Sequence, residues 1–307
     1  MADRLVVYNF FIMIALIGAS GYLGSKFTEV LASRGLKFCG LSRTEVDYAD
    51  ASVLRDWMRV ERPRFLINAA GYTGKPNVDA CENHKAECLM GNAVLPGRIR
   101  EVCEDLGVPW GHVSSGCTYS GRRSDGGGWL EADSPNFSFR SLPCSFYSGT
   151  KALGEEVLDG ASDCYVWRLR IPINHEQTPR NYLCKVLNYD RLLEAENSVS
   201  HLDEFVGACL DCFEKGVDYG IYNMTNPGAI TTRQVTEWML EEGITTKKFD
   251  FFEDEEAFMQ EAATTPRSNC VLDSSKLEST GIMLRPVEEA IRSSLQEMKL
   301  SSSTVGM

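Results

Sequence analysis

Short apolar runs alternate with amphipathic segments along the first half of the chain. The apolar runs are predicted to form buried strands and lie in MIALIG, KFCGLSR, RFLINAAG, WGHVSSGC and CYVWRLRIPI. Segments with apolar residues at helical spacing separate them, including YLGSKFTEVLASRG, ASVLRDWMRV and SFYSGTKALGEEVL. This regular alternation is typical of an α/β fold, so we expect a Rossmann-type, doubly wound parallel sheet with helices on both faces.

Two further features of the pattern qualify this picture. A long helical segment, NHKAECLMGNAVLPGRIREVCEDLG, contains Pro96, which we expect to kink the helix. Beyond CYVWRLRIPI the pattern becomes irregular, except for the helix HLDEFVGACLDCFEKG and the strand GIYNMTN. Segments that return to the sheet after irregular stretches predict a smaller, discontinuous substrate-binding lobe beside a cleft. The predicted division is a Rossmann domain at 11–172 and 200–226, a second lobe at 173–199 and 227–300, and extensions at 1–10 and 301–307, the last a frayed tail.

The composition is that of an ordinary globular protein with an acidic surface. The 307 residues include 43% hydrophobic ones and carry 31 Lys and Arg against 43 Asp and Glu, a formal net charge of −12. Such a charge argues against a nucleic-acid surface, which needs clustered cations to replace phosphate counterions. No stretch reaches the roughly 20 apolar residues that a membrane-spanning helix needs, so we expect neither nucleic acid nor membrane as a partner.

The eleven cysteines and four histidines are scattered and suggest no metal site. The odd number of cysteines leaves one unpaired in any disulfide scheme, so reduced thiols in a cytoplasmic protein are the simpler interpretation. Cys209 and Cys212 lie in a helical pattern without a second pair or a nearby histidine. Because structural zinc needs four ligands, we interpret these two thiols as helix packing.

A glycine-rich turn between the first strand and the first helix is the first candidate for chemistry. Gly18, Gly21 and Gly24 give the spacing GxxGxxG, which lets backbone N–H groups and the positive helix end approach a pyrophosphate. The strand before it favours a dinucleotide site over plain turn packing. After the second strand, Ser42 and Arg43 stand where an NAD enzyme would place a carboxylate on the ribose. A guanidinium suits a 2′-phosphate, so we expect NADP(H); the alternative is a solvated surface arginine.

Tyr147 and Lys151 lie four residues apart on one face of a predicted helix. A nearby ammonium would lower the pKa of the phenol, so that Tyr147 could exchange a proton with a carbonyl while a hydride moves. Ser115, at a strand end, could donate a second hydrogen bond to the reacting oxygen. A YxxxK match alone is common and could be a surface pair, but its occurrence with the glycine turn and Ser115 in this order favours a reductase site.

A thiol, Cys117, stands two residues beyond Ser115, at the mouth of the predicted cleft. A cysteine is most often a small buried hydrophobe. A thiol beside a 4-ketosugar could, however, remove the acidified proton next to the carbonyl. Cys144, three residues before Tyr147, competes for that role on position alone.

Three cations stand in otherwise polar segments of the predicted second lobe. They are Arg180 and Lys185 in TPRNYLCK, and Arg267 in TPRSNCVLD. An acidic protein needs local positive contacts to hold an anion, so we interpret them as candidate diphosphate contacts. The alternative is that each is a solvated charge.

Several longer motifs extend these signals over most of the chain. They are GASGYLG, LINAAGYTGKPNVDACENHKAE, SSGC, SFYSGTKA, LRIPI, TPRNYLCK, YNMTNPG and PRSNCVLDSSKL. Together they resemble the extended short-chain dehydrogenase/reductase superfamily, in particular its dTDP-4-dehydrorhamnose reductase branch, over about residues 12 to 295. Within that branch the sequence is most similar to the 3,5-epimerase/4-reductases that convert UDP-4-keto-6-deoxyglucose to UDP-L-rhamnose.

The resemblance implies that Ser115, Tyr147 and Lys151 form the reductase triad. It also implies that Cys117 and Lys185 are the acid/base pair for epimerisation. By the same resemblance the residues expected to bind NADP(H) are Gly18, Ser20, Gly21, Tyr22, Leu23, Gly24, Ser42, Arg43, Asn68, Ala69, Ala70, Tyr72, Asn92, Tyr147, Lys151 and Ile171. Those expected to contact the nucleotide sugar are Arg180, Asn181, Arg267 and Asn269.

Three features depart from the family pattern. Ser115 replaces the more usual threonine, which should be harmless because only the hydroxyl is needed. An insertion around FRSLPC brings in Cys144 and leaves open which thiol serves epimerisation. No dehydratase domain is fused in this sequence, and Gly116 and Cys117 stand where a 4,6-dehydratase would carry an acidic pair. We therefore expect a separate 4,6-dehydratase upstream to supply the ketone.

The predicted function is an NADPH-dependent 3,5-epimerase/4-reductase that forms UDP-L-rhamnose. Two alternatives stay open, a reductase alone with a UDP- or dTDP-linked substrate, and a non-catalytic NADP-binding regulatory subunit. The presence of the triad and of the lobe cations favours an enzyme. The sequence leaves the assembly open, with a homodimer as one option.

Overall fold

Six parallel strands form the central sheet in the computed structural model, which describes residues 13–304. In chain order the strands of the protein are β1 (Met13–Ile17), β2 (Lys37–Leu41), β3 (Phe65–Asn68), β4 (Trp110–Ser115), β5 (Cys164–Leu169), β6 (Pro172–Ile173), β7 (Arg191–Leu192), β8 (Glu196–Asn197), β9 (Ser200–His201), β10 (Gly220–Asn223), β11 (Ile230–Thr231) and β12 (Asp250–Phe251). The order across the sheet is β2-β1-β3-β4-β5-β10. It reverses between β1 and β3, and the loops at the carboxyl ends of these strands flank the crevice where such sheets bind ligands. The predicted α/β class is confirmed.

Helices cover both faces of the sheet. In chain order they are α1 (Tyr22–Ser33), α2 (Ala51–Glu61), α3 (Lys85–Leu89), α4 (Leu95–Leu106), α5 (Phe146–Glu156), α6 (Tyr182–Asn188), α7 (Leu202–Lys215), α8 (Thr232–Glu241), α9 (Glu255–Glu261), α10 (Ser275–Ser279) and α11 (Val287–Thr304). Phe27 of α1 and Phe205 of α7 are fully buried on one face, and Leu54 of α2 and Ile99 of α4 on the other. Burying a side chain of this size contributes about 1.5–3 kcal/mol, so these contacts hold the sheet and its loops in place.

Cys209 and Cys212 lie on the buried face of α7, which confirms their interpretation as helix packing. All eleven cysteines are free thiols. Within residues 13–304 no group of three His, Cys, Asp or Glu is arranged to hold a metal ion. No helix in that range is both long and apolar enough to cross a membrane.

The long helix predicted around Pro96 is interrupted before the proline. A π-helical turn at Met90–Val94 separates α3 from α4. Pro96 lies in the first turn of α4, where a missing N–H costs little because that position lacks a partner within α4 itself. The π turn instead accommodates an extra residue in the helix. It carries Asn92, which is fully buried.

The last predicted strand of the regular region divides at Ile171. β5 ends at Leu169, Ile171 adopts a φ of 37°, and β6 leaves the sheet to pair with β9. Positive φ is rare for a β-branched residue, so surrounding contacts must hold this turn. Two further ribbons, β8 with β11 and β7 with β12, lie outside the sheet.

A third apolar cluster also lies outside the sheet. Its members come from the segments predicted to form the second lobe and include Ile173, Leu183 and Ile291. Leu277 and Leu284, which the predicted boundary assigns to the same lobe, pack instead in the cluster with α1 and α7. The division into a domain and a lobe stays a prediction.

The chain ends bear on the two predicted extensions. α11 runs to Thr304 and so enters the segment 301–307 that was predicted as an extension. The predicted extension at 1–10 lies outside the described residues.

Candidate active site

The glycine turn lies where the sheet order reverses, between β1 and α1. Gly18 has a φ of 84°, and a Cβ there would lie 2.7 Å from the backbone nitrogen of Ala70. A Cβ on Gly24 would lie 1.9 Å from the Gly18 carbonyl oxygen, closer than any real contact. Both positions therefore require glycine, and the tight turn brings the positive end of α1 against the loop after β3.

Three neighbours of these glycines, all predicted to bind the cofactor, occupy different environments. Ser20 is exposed on the turn, whereas Leu23 packs against the sheet. The Tyr22 phenol is buried near Thr178, and this burial raises the pKa of Tyr22 to about 12. Tyr22 therefore stays protonated and joins α1 to the segment that precedes α6.

Ser42 and Arg43 are exposed directly after β2, beside the glycine turn. A Cβ on Gly40 of β2 would lie 2.8 Å from the Cβ of Ala19, which shows how closely the strand approaches the turn. Arg43 donates from Nε to the Tyr48 hydroxyl at 3.3 Å, and its guanidinium lies over that ring. Tyr48 thus orients the Arg43 guanidinium, and its contact with a 2′-phosphate stays a prediction.

A buried amide and a buried imidazole hold the start of the loop after β3. Asn68 accepts the N–H of Ala70 at 3.1 Å, and its Nδ2 lies 3.0 Å from Nδ1 of His112. Burial lowers the pKa of His112 well below its ordinary value, so the ring is neutral and Nδ1 accepts the amide proton. Ala69, the residue between, packs on the apolar core.

Asn92, in the π turn, fastens the next part of this loop. Its Oδ1 accepts the N–H of Tyr72 at 2.9 Å, and its Nδ2 donates to the Tyr72 carbonyl at 2.8 Å. The same Nδ2 donates to the Thr150 hydroxyl of α5 at 3.1 Å. A Cβ on Gly71 would lie 3.4 Å from Nζ of Lys151. The loop, the π turn and α5 therefore form one hydrogen-bonded unit beside Lys151.

β4 and α5 carry the three predicted reductase residues. Ser115 ends β4, and Tyr147 and Lys151 are one turn apart on α5. Lys151 is 5% exposed, and its Nζ donates to the Val113 carbonyl at 3.3 Å. Burial lowers the pKa of Lys151.

The pKa of Tyr147 differs in direction from the sequence-based expectation. Burial raises it well above its ordinary value, Cys117 adds to the rise, and a hydrogen-bonding interaction with Ser115 opposes it. We expected Lys151 to lower this pKa, but burial of the phenol is the larger effect. Tyr147 therefore holds its proton at neutral pH.

The two candidate thiols, Cys117 and Cys144, differ in their surroundings. Cys117 is 5% exposed in a short 3₁₀ turn directly after β4. Burial raises its pKa above the ordinary value, and the hydroxyls of Ser115 and Ser148 and the cations Arg170 and Lys151 offset only part of that rise. Cys144 is half-buried before α5, and burial, Glu82 and Cys117 all raise its pKa. The nearby cations favour Cys117 as the reactive thiol.

The predicted lobe cations lie close enough to influence one another. Burial lowers the pKa of Lys185, and the charges of Arg180 and Arg267 lower it further. Arg180 donates from Nη1 to the Thr73 hydroxyl at 2.6 Å. Arg267 forms an ion pair with Asp79 through two hydrogen bonds of 2.7 Å. Both arginines thus connect to the loop between β3 and α3.

The two amides predicted to contact the nucleotide sugar hold other protein groups in this structure. Asn181 is fully buried at the start of α6, where it accepts the N–H of Leu183 at 3.1 Å and donates to the Asn174 carbonyl at 2.7 Å. Asn269 accepts from the Asn197 amide at 3.2 Å. Their contact with a substrate stays a prediction.

Sequence reasoning missed several residues that shape this site. His112, Thr150 and Asp79 each hold a residue that was predicted to bind a ligand. A signal existed for His112, because a polar residue inside a buried strand requires a hydrogen-bond partner. Asp79 stands in the motif VDACENHKAE, where a carboxylate suggests a nearby cation without indicating which one.

A glycine turn at the reversal of a parallel sheet, with a Ser, Tyr and Lys set beside it, is typical of the extended short-chain dehydrogenases/reductases. The chain belongs to the family described as RmlD substrate binding domain, whose model matches residues 12–300. The resemblance to the dTDP-4-dehydrorhamnose reductase branch is thereby confirmed.

Two plant proteins and one solved structure are similar to this chain over most of its length. The chain is 31% identical over 292 residues to the bifunctional dTDP-4-dehydrorhamnose 3,5-epimerase/dTDP-4-dehydrorhamnose reductase of Arabidopsis thaliana, covering 92% of this chain and 91% of that protein. It is 31% identical over 282 residues, 89% of its length, to a trifunctional UDP-glucose 4,6-dehydratase/UDP-4-keto-6-deoxy-D-glucose 3,5-epimerase/UDP-4-keto-L-rhamnose-reductase of the same plant, of which it spans 40%. The crystal structure of the UDP-rhamnose synthase of Acanthamoeba polyphaga mimivirus matches with a TM-score of 0.85 and 23% identity, over 94% of this chain and 99% of that one. This structural similarity supports the assignment of the fold alone.

Proposed function

We propose that the protein is an NADPH-dependent reductase of a nucleotide-linked 4-ketosugar that also acts as a 3,5-epimerase. The overall reaction would convert UDP-4-keto-6-deoxyglucose to UDP-L-rhamnose. One observation carries the proposal: the short turn that holds Cys117 directly follows Ser115 and packs against α5, which carries Tyr147 and Lys151. A proton donor for a carbonyl oxygen and a thiol base for the adjacent carbon would therefore share one site. The activities named for the plant relatives agree with this pairing.

The residues around the glycine turn fit NADP(H). Gly18 and Gly24 keep side chains out of the turn, so a diphosphate can approach the start of α1. Arg43, held by Tyr48, would pair with the 2′-phosphate. Bound NADPH would supply the hydride that reduces C4 of the sugar.

Tyr147 would donate a proton to the C4 oxygen. Burial keeps the phenol protonated, which is the state that a proton donor requires. Ser115 would donate a second hydrogen bond to the same oxygen. The ammonium of Lys151 is anchored on the Val113 carbonyl, where it would stabilise the phenolate left after the transfer.

The epimerase step would use Cys117 and Lys185. The C4 carbonyl acidifies the hydrogens on C3 and C5, so a base of moderate strength can remove them. The Cys117 thiolate would take the proton and become a thiol, leaving an enolate, and Lys185 would return a proton to the opposite face. One pair can serve both carbons if the ring re-seats between the two steps. Reduction of the ketone then consumes the epimerised sugar and draws the sequence forward.

Substrate binding would depend on the cluster of Arg180, Lys185 and Arg267. These side chains offer positive contacts to the diphosphate in an otherwise acidic protein. Asp79 would fix the orientation of Arg267, so that its remaining edge faces the ligand. The ketone itself must come from a 4,6-dehydration reaction, because C4 is oxidised and C6 is deoxygenated in this substrate.

A second candidate is a 4-reductase without epimerase activity. It is favoured by the position of Lys185, whose charged neighbours are Arg180 and Arg267. The Cys117 N–H donates to the Ser115 hydroxyl at 3.2 Å, a contact that does not involve Lys185. A shared acid/base step would therefore need substrate binding to bring both groups to one sugar ring.

Product analysis and solvent exchange distinguish these candidates. With UDP-4-keto-6-deoxyglucose and NADPH, the bifunctional enzyme should form UDP-L-rhamnose, identified by NMR, with NADH and the dTDP-linked sugar as comparisons. In heavy water without NADPH, it should place deuterium at C3 and C5. Reduction of a sugar supplied already epimerised, without any exchange, would leave the reductase alone. No reduction of either sugar would overturn the proposed function.

A further inference from the structure

Arg170 is a buried cation without a carboxylate partner. Its side chain follows β5 and is 8% exposed. Its Nη2 donates to the Asn197 side-chain oxygen and to the Ser268 carbonyl, both uncharged, while its Nε is buried without any hydrogen-bond partner. Among residues 13–304 no Asp or Glu oxygen lies within ion-pair distance of it.

Arg168, two residues earlier on β5, shows what the same strand provides for a structural arginine. It is 2% exposed and forms an ion pair with Glu155 at 2.7 Å. Removing a charge from water is costly unless an opposite charge and hydrogen bonds replace the lost solvation. Arg168 has that compensation, and Arg170 has only part of it. The charge of Arg170 would therefore be better compensated if an anion formed next to it.

The strand register places Arg170 beside the turn that carries Cys117. Ser115 of β4 pairs with Leu169 of β5, so the next residue on each strand leaves the sheet at the same edge. Arg170 and the N–H of Cys270 share the side-chain oxygen of Asn197. The Cys270 thiol in turn contacts the carbonyl of Gly116, the residue before Cys117, at 3.2 Å. One hydrogen-bonded frame thus connects the guanidinium to the thiol-bearing turn.

We propose that Arg170 is the counter-cation of the Cys117 thiolate and so positions the base of the epimerase step. The inference rests on the proposed function for its purpose, but not for its geometry. Loss of the Cys117 proton to solvent would create the anion that Arg170 lacks. When the thiolate then takes a proton from the sugar, Cys117 returns to a neutral thiol beside the Arg170 cation. Arg170 acts through Cys117 and need not touch the sugar.

Other groups also face Cys117 and set the background for this effect. The hydroxyls of Ser115 and Ser148 and the charge of Lys151 favour the thiolate. The ionised forms of Tyr147, Cys81 and Cys144 would oppose it, since each interacts with Cys117. Lys151 serves the reduction site as well, so Arg170 is the cation that can be changed without removing a reductase residue.

The test is the pH dependence of Cys117 alkylation in the full-length protein. The rate of carbamidomethylation of Cys117 is followed by site-localised mass spectrometry across neutral and alkaline pH, without any sugar or cofactor. Arg170→Gln should raise the apparent pKa of Cys117 by roughly one to two pH units, because an opposite charge in this range typically shifts a pKa by that amount. Arg170→Lys keeps the charge and should stay near the wild type. An equal rise in both variants, or none in either, would overturn the proposal.

A second variant keeps the test decisive if Arg170→Gln does not fold. Asn197→Asp keeps the acceptor oxygen used by Arg170 and Cys270, but supplies the guanidinium with a carboxylate. It should raise the apparent pKa of Cys117 in the same direction, and an unchanged alkylation profile in a folded Asn197→Asp protein would reject the pairing. A shifted alkylation profile in Arg170→Gln, together with no deuterium exchange in the wild type, would refute the epimerase function while leaving the ion pair established. Deuterium exchange in the wild type, with no shift in the apparent pKa of Cys117 in Arg170→Gln, would refute the ion pair and leave the epimerase function standing.

Discussion

The two halves of the proposed chemistry rest on different parts of the molecule. The reductase residues Ser115, Tyr147 and Lys151 lie on β4 and α5, which pack directly on each other. The proposed epimerase pair is divided, with Cys117 on the turn after β4 and Lys185 on α6 near Arg180 and Arg267. One site is assembled by a strand and its neighbouring helix, and the other by contacts between distant segments.

This difference indicates how each activity should respond to change. The proton donor for reduction is oriented by packing within the sheet layer, so it should not depend on how the α6 segment is held. We expect the position of Lys185 in the proposed acid/base pair to depend on its neighbours Arg180 and Arg267, which contact Thr73 and Asp79. Substitution of Tyr147 should therefore abolish reduction and spare exchange, whereas substitutions at the contacts of Arg180 and Arg267 should weaken substrate use in a graded way.

The largest effect is expected for Tyr147→Phe, which should separate the two activities most sharply. Reduction should fall about 1,000-fold because the proton donor is lost, while the aromatic ring and its packing remain. NADPH affinity should stay within a few fold, and deuterium exchange into the ketosugar should continue. Tyr219→Phe is the matched control, since Tyr219 is exposed at the amino end of β10, away from the ligand edge. Equal turnover by Tyr147→Phe would remove this tyrosine from the mechanism.

The complementary change is Cys117→Ser, which should remove exchange and spare reduction. Deuterium incorporation at C3 and C5, measured by NMR, should fall about 100-fold, because a hydroxyl is a far weaker base than a thiol with an ordinary pKa of about 8.5. The variant should still reduce a sugar supplied already epimerised. Cys144→Ser is the control, and loss of exchange there instead would move the assignment to the inserted segment.

A smaller effect is expected at Arg43, directly after β2 of the sheet layer. Arg43→Ala should weaken NADPH binding roughly 10- to 100-fold, the range expected for loss of a charge-assisted hydrogen bond, and should leave NADH binding almost unchanged. Fluorescence titration of both cofactors measures this, with Arg59→Ala on the exposed face of α2 as the control. If both cofactors weaken alike, Arg43 has a structural role.

The smallest effect concerns the contact between the two regions. Burial alone would raise the pKa of Asp79, but Arg267 outweighs it and lowers that pKa below the ordinary value. The carboxylate therefore contributes stability above its unfolded pKa of about 3.9, and this contribution is lost as the pH falls through the lower folded value.

Asp79→Asn should accordingly reduce the free energy of unfolding by about 1 kcal/mol at neutral pH, as measured by urea denaturation. The difference from the wild type should stay constant down to mildly acidic pH and shrink in stronger acid. KM for the nucleotide sugar should rise a few fold, and KM for NADPH should not. Glu101→Gln, which removes an exposed ion pair with Arg55, is the control. A larger change at NADPH than at the sugar would show that Asp79 does not act through Arg267.

Much of the sheet layer could be predicted from the sequence because its central strands, β1, β3, β4 and β5, are buried along almost their whole length. The runs MIALI and FLIN, at β1 and β3, carry an apolar residue at almost every position, which is typical of buried parallel strands. The irregular segments gave weaker signals, and the division of CYVWRLRIPI at Ile171 depends on a positive φ that no residue pattern predicts at an isoleucine.

The site was predictable to the extent that its residues stand in short motifs. Tyr147 and Lys151 are one helical turn apart, and Ser115 and Cys117 are two residues apart, so local spacing was sufficient. Asp79 and Arg267 are separated by 188 positions, and only the folded chain shows that one holds the other. Burial likewise decides the direction of the Tyr147 pKa shift, and burial of a single side chain cannot be obtained from spacing.

The π-helical turn at Met90–Val94 means that the number of residues in this helix, and not only their identity, determines where Asn92 lies. Deleting one residue there would restore a continuous α-helix, but it would also rotate the preceding residues by about 100° relative to α4. The Asn92 amide would then leave Tyr72, and the loop after β3 would lose its fastening. Nor could a bulkier neighbour compensate, because a Cβ on Gly154 of α5 would lie 2.2 Å from the Asn92 carbonyl oxygen. A one-residue deletion that preserves every apolar position should therefore cost more function than many substitutions in the same helix.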